Sequence, residues 1–307
     1  MKNKSVIVGG TVAIDNVKTP VAEASNLLGG SAAYAALATS FYHDSVNLVG
    51  IIGDDYPQEH LDMLASHGVC LDGVERSKNA SFTWSGEYMA NMNDRETHAV
   101  ALNVLEDWVV KVPESIAGSE IVVLANMSPE NQLQMLDGCV SENKYVIADT
   151  MDLWIAIARE KLEEVLGRID LLVINESEAR EFAETTNLVE AGEKLLSYGP
   201  QHVIIKLGEF GAMLFAQDGS IFRCPAWPLK VVADPTGAGD SFLGGMAGYL
   251  ASLGEVQFGF DELRQAMVRG TVAASYTCEA FSTQKLQSVT RADLDDRMAK
   301  LREMSCW

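Results

Sequence analysis

The sequence predicts an α/β fold: a three-layer α/β/α sandwich with a mainly parallel central sheet and a small antiparallel β lid. Short β-branched apolar runs alternate along the chain with longer segments of helical period. The runs are continuously apolar, which is typical of parallel strands that are buried on both faces. Two segments, at about 12–27 and 81–104, break this alternation, and both precede residue 105.

The central sheet is expected to contain six buried strands. They are Ser5–Val8, Val46–Ile52, Ile121–Leu124, Tyr145–Ala148, Leu171–Ile174 and Val203–Lys206. Segments of helical period are predicted as helices at Ser31–Phe41, Gln58–His67, Asn131–Ser141, Ser177–Thr185, Leu188–Tyr198 and Leu243–Leu253. Consecutive parallel strands need crossover connections, so these helices should cover both faces of the sheet.

The lid is predicted from the segments 12–27 and 81–104, which alternate polar and apolar residues and are split by Asn-rich turns. It contributes the aromatic residues Phe82, Trp84 and Tyr88. One face of the lid should cover a pocket, while the other packs in a homodimer or meets water. The strand register decides which of these residues lie on which face. No repeat, low-complexity tract or linker divides the chain, so we expect a single domain over residues 1–307.

Composition and charge exclude several classes of function. The 307 residues carry a formal net charge of −20, and 48% of them are apolar. This acidic excess gives no electrostatic footprint for nucleic acid or an anionic membrane. The five cysteines are widely separated and form no CxxC pair, which favours a reducing compartment. The first apolar run is too short for a signal-peptide core, so we expect a cytoplasmic protein.

The string DPTGAGD at 234–240, directly before an apolar helix, carries the strongest chemical signal. Small residues let the backbone approach an anion, and the amides of Gly237, Ala238 and Gly239 lie where a helix begins. Asp240 could take a proton from an attacking hydroxyl while these amides stabilise charge on a phosphoryl group. The alternative is a Gly-rich turn in which Asp240 only caps the helix.

Four motifs together resemble those of the ribokinase-like, or phosphofructokinase-B, carbohydrate kinases. The string at 234–240 resembles their second signature, and GGSAAY at 29–34 with VGIIGDD at 49–55 resembles the first. NESE at 175–178 is similar to their NxxE motif, and KLGEFG at 206–211 to their KxGxxG motif. The order and spacing also match, from about residue 6 to 281. The resemblance implies a ribokinase-like fold and a phosphotransferase that uses ATP and Mg²⁺.

The resemblance assigns roles at the nucleotide end. Asp240 matches the family's catalytic base, and the amides of Gly237, Ala238 and Gly239 match its anion hole for the γ-phosphate. Lys206 matches a phosphate contact; the alternative is a lysine that extends from a strand end into water. Three more residues are assigned to the nucleotide site: Gly208, Gly211 and Thr236.

Two cation sites are implied. Asn175 and Glu178 match residues that organise Mg²⁺, with Glu178 acting through water; the alternative is a capping box, and one geometry permits both roles. Asp234 and the segment Val272–Thr283, which is expected to cover the adenine as a loop, match a region that binds a monovalent cation such as K⁺. Ala- and Ser-rich helix ends are also common without that role, so both interpretations stay open.

At the acceptor end, the resemblance assigns hydroxyl binding to Asp15, for which a simple turn role is the alternative. Gly29 and Gly30 would let the acceptor lie against backbone, or serve a turn or helix packing. Tyr34 departs from the pattern, because ribokinases often have Asn there; its ring can stack and it offers one hydroxyl. The segment 149–154 lacks the arginine that fructokinase relatives tend to show.

These residues favour an ATP-dependent kinase that phosphorylates a primary hydroxyl of a sugar. A nucleoside is the alternative acceptor, supported by Tyr34 and the aromatic lid. A catalytically silent binding module is a third hypothesis, and the retention of Asp240 and the glycines speaks against it. A dinucleotide-dependent oxidoreductase has little support, since no GxGxxG follows the first strand. We also expect a homodimer formed through the lid.

Overall fold

The chain forms two β-sheets in a computed structural model that describes residues 4–306; the predicted domain over 1–307 includes four residues outside this range. The strands are β1 (Val6–Gly9), β2 (Ala13–Lys18), β3 (Glu23–Gly29), β4 (Val46–Gly53), β5 (Val69–Ser77), β6 (Phe82–Tyr88), β7 (Arg95–Ala101), β8 (Ile121–Leu124), β9 (Tyr145–Ala148), β10 (Leu171–Asn175), β11 (His202–Lys206), β12 (Ala212–Ala216) and β13 (Ile221–Cys224). The helices are α1 (Ser31–Ser40), α2 (Gln58–Ser66), α3 (Pro129–Gly138), α4 (Asp152–Ile157), α5 (Arg159–Leu166), α6 (Glu176–Ala183), α7 (Leu188–Leu196), α8 (Ala238–Ser252), α9 (Phe260–Thr277) and α10 (Arg291–Ser305).

The large sheet confirms the predicted fold class. Its nine strands lie in the order β13-β12-β11-β10-β9-β8-β1-β4-β5. All pairs from β11 to β5 are parallel, and only β12 and β13 are added antiparallel at one edge. All six predicted strands occur here, each within one residue of its expected bounds. Apolar clusters cover both faces, which gives the three layers.

The lid is a four-stranded sheet in the order β3-β2-β6-β7, and its topology corrects one expectation. The two hairpins, β2–β3 and β6–β7, are antiparallel as predicted, but β2 pairs with β6 in parallel. β2 follows β1 and β6 follows β5, and both preceding strands run in the same direction in the large sheet. The first strand of each hairpin therefore leaves the same sheet edge in the same direction, so the lid is mixed rather than purely antiparallel.

Close packing of α1 against α8 brings two helix N-termini together. A Cβ on Gly244 would overlap the carbonyl of Ala35, and one on Gly248 would overlap that of Thr39. The Thr39 hydroxyl donates to the Gly244 carbonyl at 3.1 Å. Because these glycines let the backbones touch, the start of α8 with its DPTGAGD string lies beside the start of α1, which follows Gly30.

Several elements were not predicted, or were predicted differently. Helices α4, α5, α9 and α10 and strands β5, β12 and β13 are additional. Val272–Thr277, expected as part of a loop, forms the last turns of α9, because its small residues pack in the helix as buried positions. None of the helices found in 4–306 has both the length and the apolar character needed to cross a membrane.

Candidate active site

The predicted site residues meet at one edge of the large sheet. Asn175 ends β10 and Lys206 ends β11, while Asp149 directly follows β9. Carboxyl ends of parallel strands lie at a common edge, which is where open α/β sheets bind ligands. The N-termini of α1, α6 and α8 reach the same edge, so backbone N–H groups and acidic side chains converge there.

The start of α8 holds the residues that were predicted to form an anion hole. Gly237 precedes the helix with φ of 77°, a left-handed conformation that favours glycine. Gly239 lies in the first helical turn, where N–H groups have no partner within the helix. The amide of Ala238 departs from the prediction, since it donates to the Pro235 carbonyl at 3.1 Å. This turn uses one of the three predicted donors before the helix begins.

Lys206 lies beside this anion hole. A Cβ placed on Gly239 would be 3.0 Å from the Lys206 Nζ. The same Nζ donates to the Asp149 carboxylate, at 3.1 Å to Oδ2 and 3.3 Å to Oδ1. Burial opposes the charged lysine, but the carboxylates of Asp149, Glu178 and Asp240 outweigh it and raise the Lys206 pKa. The ammonium therefore stays charged at this edge of the sheet.

Asp240, in the first turn of α8, has the electrostatics of a base that works near neutral pH. Burial and the nearby charge of Asp149 raise its pKa to about 6, although Lys206 and Arg95 pull in the opposite direction. A carboxylate with this pKa is ionised at pH 7 and is a stronger proton acceptor than an ordinary aspartate.

The rate of phosphoryl transfer should fall with acid as Asp240 is protonated. With a pKa of about 6, we expect kcat/KM to drop about tenfold between pH 7 and pH 5, because a protonated carboxyl cannot accept the hydroxyl proton. Direct quantification of ADP at each pH, without a coupling enzyme, measures this. A profile that is flat from pH 5 to pH 7 would contradict the assignment of the base.

Asn175 and Glu178 form the capping box that was the alternative to magnesium binding. Asn175 Oδ1 accepts from the Glu178 amide at 2.9 Å, and Glu178 Oε2 accepts from the Asn175 amide at 3.0 Å. Glu178 is buried, and burial together with the charge of Asp149 raises its pKa to about 7. Cap formation engages only Oε2, so Oε1 remains for another ligand. Both predicted roles are therefore compatible in one geometry.

Within 4–306, no group of three or more His, Cys, Asp or Glu side chains has the arrangement of a complete metal site. Mg²⁺ differs from metals that need such a cage, because it retains several waters and needs only one or two carboxylates plus substrate phosphates. The mutual influence of Glu178 and Asp149 places two carboxylates near Lys206. This donor set fits a water-mediated magnesium ion.

At the acceptor end, the Asp15 side chain fits against the two predicted glycines. A Cβ on Gly29 would overlap the Asp15 carboxyl, and one on Gly30, where φ is 91°, would overlap the Thr11 carbonyl. Burial and the charges of Asp234 and Asp240 raise the Asp15 pKa to about 8, although a hydrogen bond from the Gly30 backbone lowers it. Asp15 and Asp240 are therefore close enough to influence each other.

Tyrosines surround Asp15. The Tyr34 ring is only 2% exposed and packs against Gly237, since a Cβ there would overlap the ring. Tyr34 thus joins the acceptor end to the anion hole. The charge of Asp15 also contributes to the raised pKa values of Tyr56 and Tyr88, which burial dominates. The buried Tyr56 hydroxyl has no hydrogen-bond partner among the described residues.

Asp234 is fully buried, and its carboxylate accepts hydrogen bonds from two backbone amides. Its Oδ1 accepts from the Thr236 amide at 2.9 Å, and its Oδ2 accepts from the Ser282 amide at 3.1 Å. The Ala233 amide donates to the Cys278 carbonyl at 2.8 Å, so the two segments of the predicted monovalent-cation region do meet. The K⁺ site itself stays a prediction.

A cavity of about 450 Å³ adjoins Lys206 and the start of α8. Gly208 and Gly211, which were predicted for the nucleotide site, line it together with Gly239, and Trp227 and Phe242 are among its apolar lining. Gly211 also has a turn role, because its φ is 93° and a Cβ would overlap the Cys224 carbonyl. Thr236 is outside the lining, although its neighbours Pro235 and Ala238 belong to it.

Sequence reasoning missed two charged residues of the site. Asp149 holds Lys206 and was available as a signal, because it directly follows the predicted strand Tyr145–Ala148. Arg95, on the lid strand β7, lowers the pKa of Asp240 from across the site. No local pattern marks Arg95, since only the folding of the lid over α8 brings it there.

Comparison with known proteins gives one consistent result. The chain matches the pfkB family carbohydrate kinases over residues 5–290. It is 30% identical over 252 residues to a cytidine kinase of Thermococcus kodakarensis, covering 80% of this chain and 88% of that protein.

Two solved structures show the same fold at low identity. One is a putative ribokinase II from E. coli in complex with ATP and Mg²⁺, with a TM-score of 0.79, 15% identity and coverage of 97% of this chain and 99% of that one. The other is a nucleoside kinase of Burkholderia thailandensis in complex with inosine, with a TM-score of 0.75, 20% identity and coverage of 96% and 97%. The ribokinase-like fold is thereby confirmed, and the chain belongs to the pfkB family of carbohydrate kinases.

Proposed function

We propose that this pfkB-family phosphotransferase transfers the γ-phosphate of ATP to a primary hydroxyl of a nucleoside. The observation that carries the proposal is the position of Asp240. Its charge acts on Asp15 at the acceptor end and on Lys206 at the nucleotide end. A base between a hydroxyl-binding carboxyl group and a phosphate-binding lysine is what in-line transfer from ATP to an alcohol requires.

The reaction follows from these positions. The acceptor hydroxyl oxygen bonds to the γ-phosphorus, its proton passes to the Asp240 carboxylate, and the bond from the γ-phosphorus to the ADP oxygen breaks. Lys206 and the N–H groups at the start of α8 stabilise the charge on the transferring group. Asp15, against Gly29 and Gly30, holds a second hydroxyl of the acceptor and so aligns the first. The closed lid keeps water from competing for the phosphoryl group.

Glu178 and Asp149 are the residues that would hold Mg²⁺, through water. When bound, the ion would neutralise phosphate charge. Asp149 also fixes the Lys206 ammonium through the contacts of 3.1 and 3.3 Å. A net charge of −20 disfavours the binding of polyphosphates in general. The positive charges of Lys206 and the magnesium ion are therefore needed for ATP to bind at this site.

Two observations favour a nucleoside over a free sugar as acceptor. The Asp15 carboxyl is near Tyr34, Tyr56 and Tyr88, whose rings suit a flat group. The cytidine kinase is also 30% identical to this chain. The free sugar, which the motifs put first, becomes the second candidate. It is supported by the pairing of Asp15 with Gly29 and Gly30, which could bind hydroxyls of an acceptor that has no nucleobase.

A screen for ADP release tests the acceptor class. Purified protein with ATP and Mg²⁺ is offered nucleosides and free sugars at equal concentration. We expect the highest kcat/KM for a nucleoside. A kcat/KM that is higher for a free sugar would overturn the choice of acceptor, and acceptor-independent ADP release would overturn the kinase assignment.

Variants of Tyr34 test the contribution of its ring. Tyr34→Phe keeps the contact with Gly237 and removes one hydroxyl, so kcat/KM for the nucleoside should fall by less than about tenfold, as for one neutral hydrogen bond. Tyr34→Asn removes the ring and leaves a void, which should cost about 3–5 kcal/mol of stability as well as nucleoside activity. Steady-state kinetics and thermal melts measure both. Greater damage from Phe than from Asn would contradict a role for the ring.

The predicted homodimer through the lid and the cytoplasmic location stay predictions. The lid strand β7 leaves most of its side chains exposed, and Val100 is 51% exposed. Light scattering of Val100→Glu against the parent protein would test the dimer.

A further inference from the structure

The turn of the lid hairpin between β6 and β7, residues 89–94, is here named the lid tip. It adjoins the nucleotide cavity rather than only the acceptor end. Asn91, Met92 and Asn93 line this cavity together with Lys206 and Gly239. The motifs place the lid over the acceptor, so they assign no role in nucleotide binding to these residues.

The lid tip is held in one conformation by its own hydrogen bonds. The Asn91 Oδ1 accepts from the amides of Asn93 at 3.2 Å and Asp94 at 3.0 Å, and the Asn91 Nδ2 donates to the Asp94 carboxylate at 2.8 Å. Met92 packs against the lid's apolar cluster, which includes Val17 and Tyr88. Residue 93 therefore lies in a hydrogen-bonded turn that borders the cavity.

Asn93 faces the phosphate end of the cavity. A Cβ on Gly208 would be 3.0 Å from the Asn93 Oδ1, so the two residues lie against each other. Gly208 follows β11, the strand that ends with Lys206. The side-chain amide of Asn93 has no hydrogen-bond partner among residues 4–306, whereas its backbone amide is used by Asn91. This exposed polar group, which has no partner in the protein, thus borders the cavity that Lys206 also lines.

We infer that Asn93 binds the phosphate groups of the nucleotide, which makes the lid tip a part of the nucleotide site. The inference rests on the proposed function. The amide N–H₂ offers two donors to phosphate oxygens without adding charge, in the cavity that Lys206 also lines. One lid would then contact the nucleotide through its tip and enclose the acceptor through its sheet.

Binding measurements test this without relying on turnover. Calorimetry measures the dissociation constant of ADP with Mg²⁺ and, by displacement of bound ADP, that of adenosine at the same site, for the parent, Asn93→Ala, Asn93→Asp and Asn79→Asp. The control Asn79 is also exposed and precedes β6, but it is not among the residues that line the cavity. It receives the same charge change, and melting temperatures show that each variant folds.

We expect Asn93→Ala to weaken ADP binding about tenfold, as for a lost hydrogen bond to a charged group. Asn93→Asp should weaken it further, because a carboxylate repels phosphate, while adenosine binding stays at the parental value. Asn79→Asp should bind both ligands like the parent. Unchanged ADP binding in Asn93→Asp, or equal losses for ADP and adenosine, would overturn the inference and leave the proposed function standing. A parent protein that binds no ADP would overturn both.

Discussion

Replacing Asp240 with asparagine is expected to lower kcat by at least about 10²-fold, because the amide cannot accept the acceptor's proton. Nucleotide binding should remain close to that of the parent, since Lys206 and the backbone at the start of α8 are unchanged. Initial rates of ADP formation and the dissociation constant of ADP measure the two effects. Turnover of Asp240→Asn at close to the parental rate would show that Asp240 is not the base.

The same substitution should not destabilise the protein. The folded-state pKa of Asp240 is raised from 3.8 to about 6, so its contribution favours folding below pH 3.8 and is lost as the pH rises through about 6. At pH 7 the ionised carboxylate is therefore unfavourable, and removing its charge should raise Tm by about 2–4 °C. Asp261→Asn, at an exposed position in the first turn of α9, is the matched control and should leave kcat unchanged.

Gly239→Val should abolish most activity by filling the phosphate end of the cavity. Its Cβ would lie 3.0 Å from the Lys206 Nζ, and the two methyl groups would extend into the volume that the phosphates need. We expect kcat/KM to fall by at least about 10²-fold, the loss reported for removal of one oxyanion donor. ADP binding should weaken in parallel, and calorimetry measures it.

Stability separates this steric effect from a structural one. The φ of Gly239 lies outside the left-handed region, and its nearest neighbour is the flexible end of a lysine, so Tm should change little. Gly118→Val, where a Cβ meets nothing within 4 Å, controls for the loss of glycine freedom. A collapse of Tm in Gly239→Val alone would favour a purely structural role for the glycine.

The fold was predictable where burial on both faces leaves a continuous apolar run, as in Ile121–Leu124. It was not predictable for β5, Val69–Ser77, which lies at the sheet edge and carries polar residues between its buried positions. Val272–Thr277 was expected as a loop because the family resemblance assigns it to a loop that covers the adenine. Packing of α9 against the neighbouring helix extends the helix through this segment instead.

The site was predictable where one short string contains both the glycine-rich turn and the candidate base, as at 234–240. Contacts between distant segments gave no such signal. Tyr34 packs against Gly237, and Arg95 acts on Asp240 only because the lid folds over α8. The amide of Ala238 has the right residue type in the right string, yet a local turn commits it to Pro235.

Transfer of the phosphoryl group can be followed by ³¹P NMR of a reaction containing protein, ATP, Mg²⁺ and a nucleoside. We expect a new phosphomonoester signal that grows in step with ADP, and its loss in Asp240→Asn. ADP accompanied only by inorganic phosphate, or a phosphomonoester formed equally well by Asp240→Asn, would contradict it.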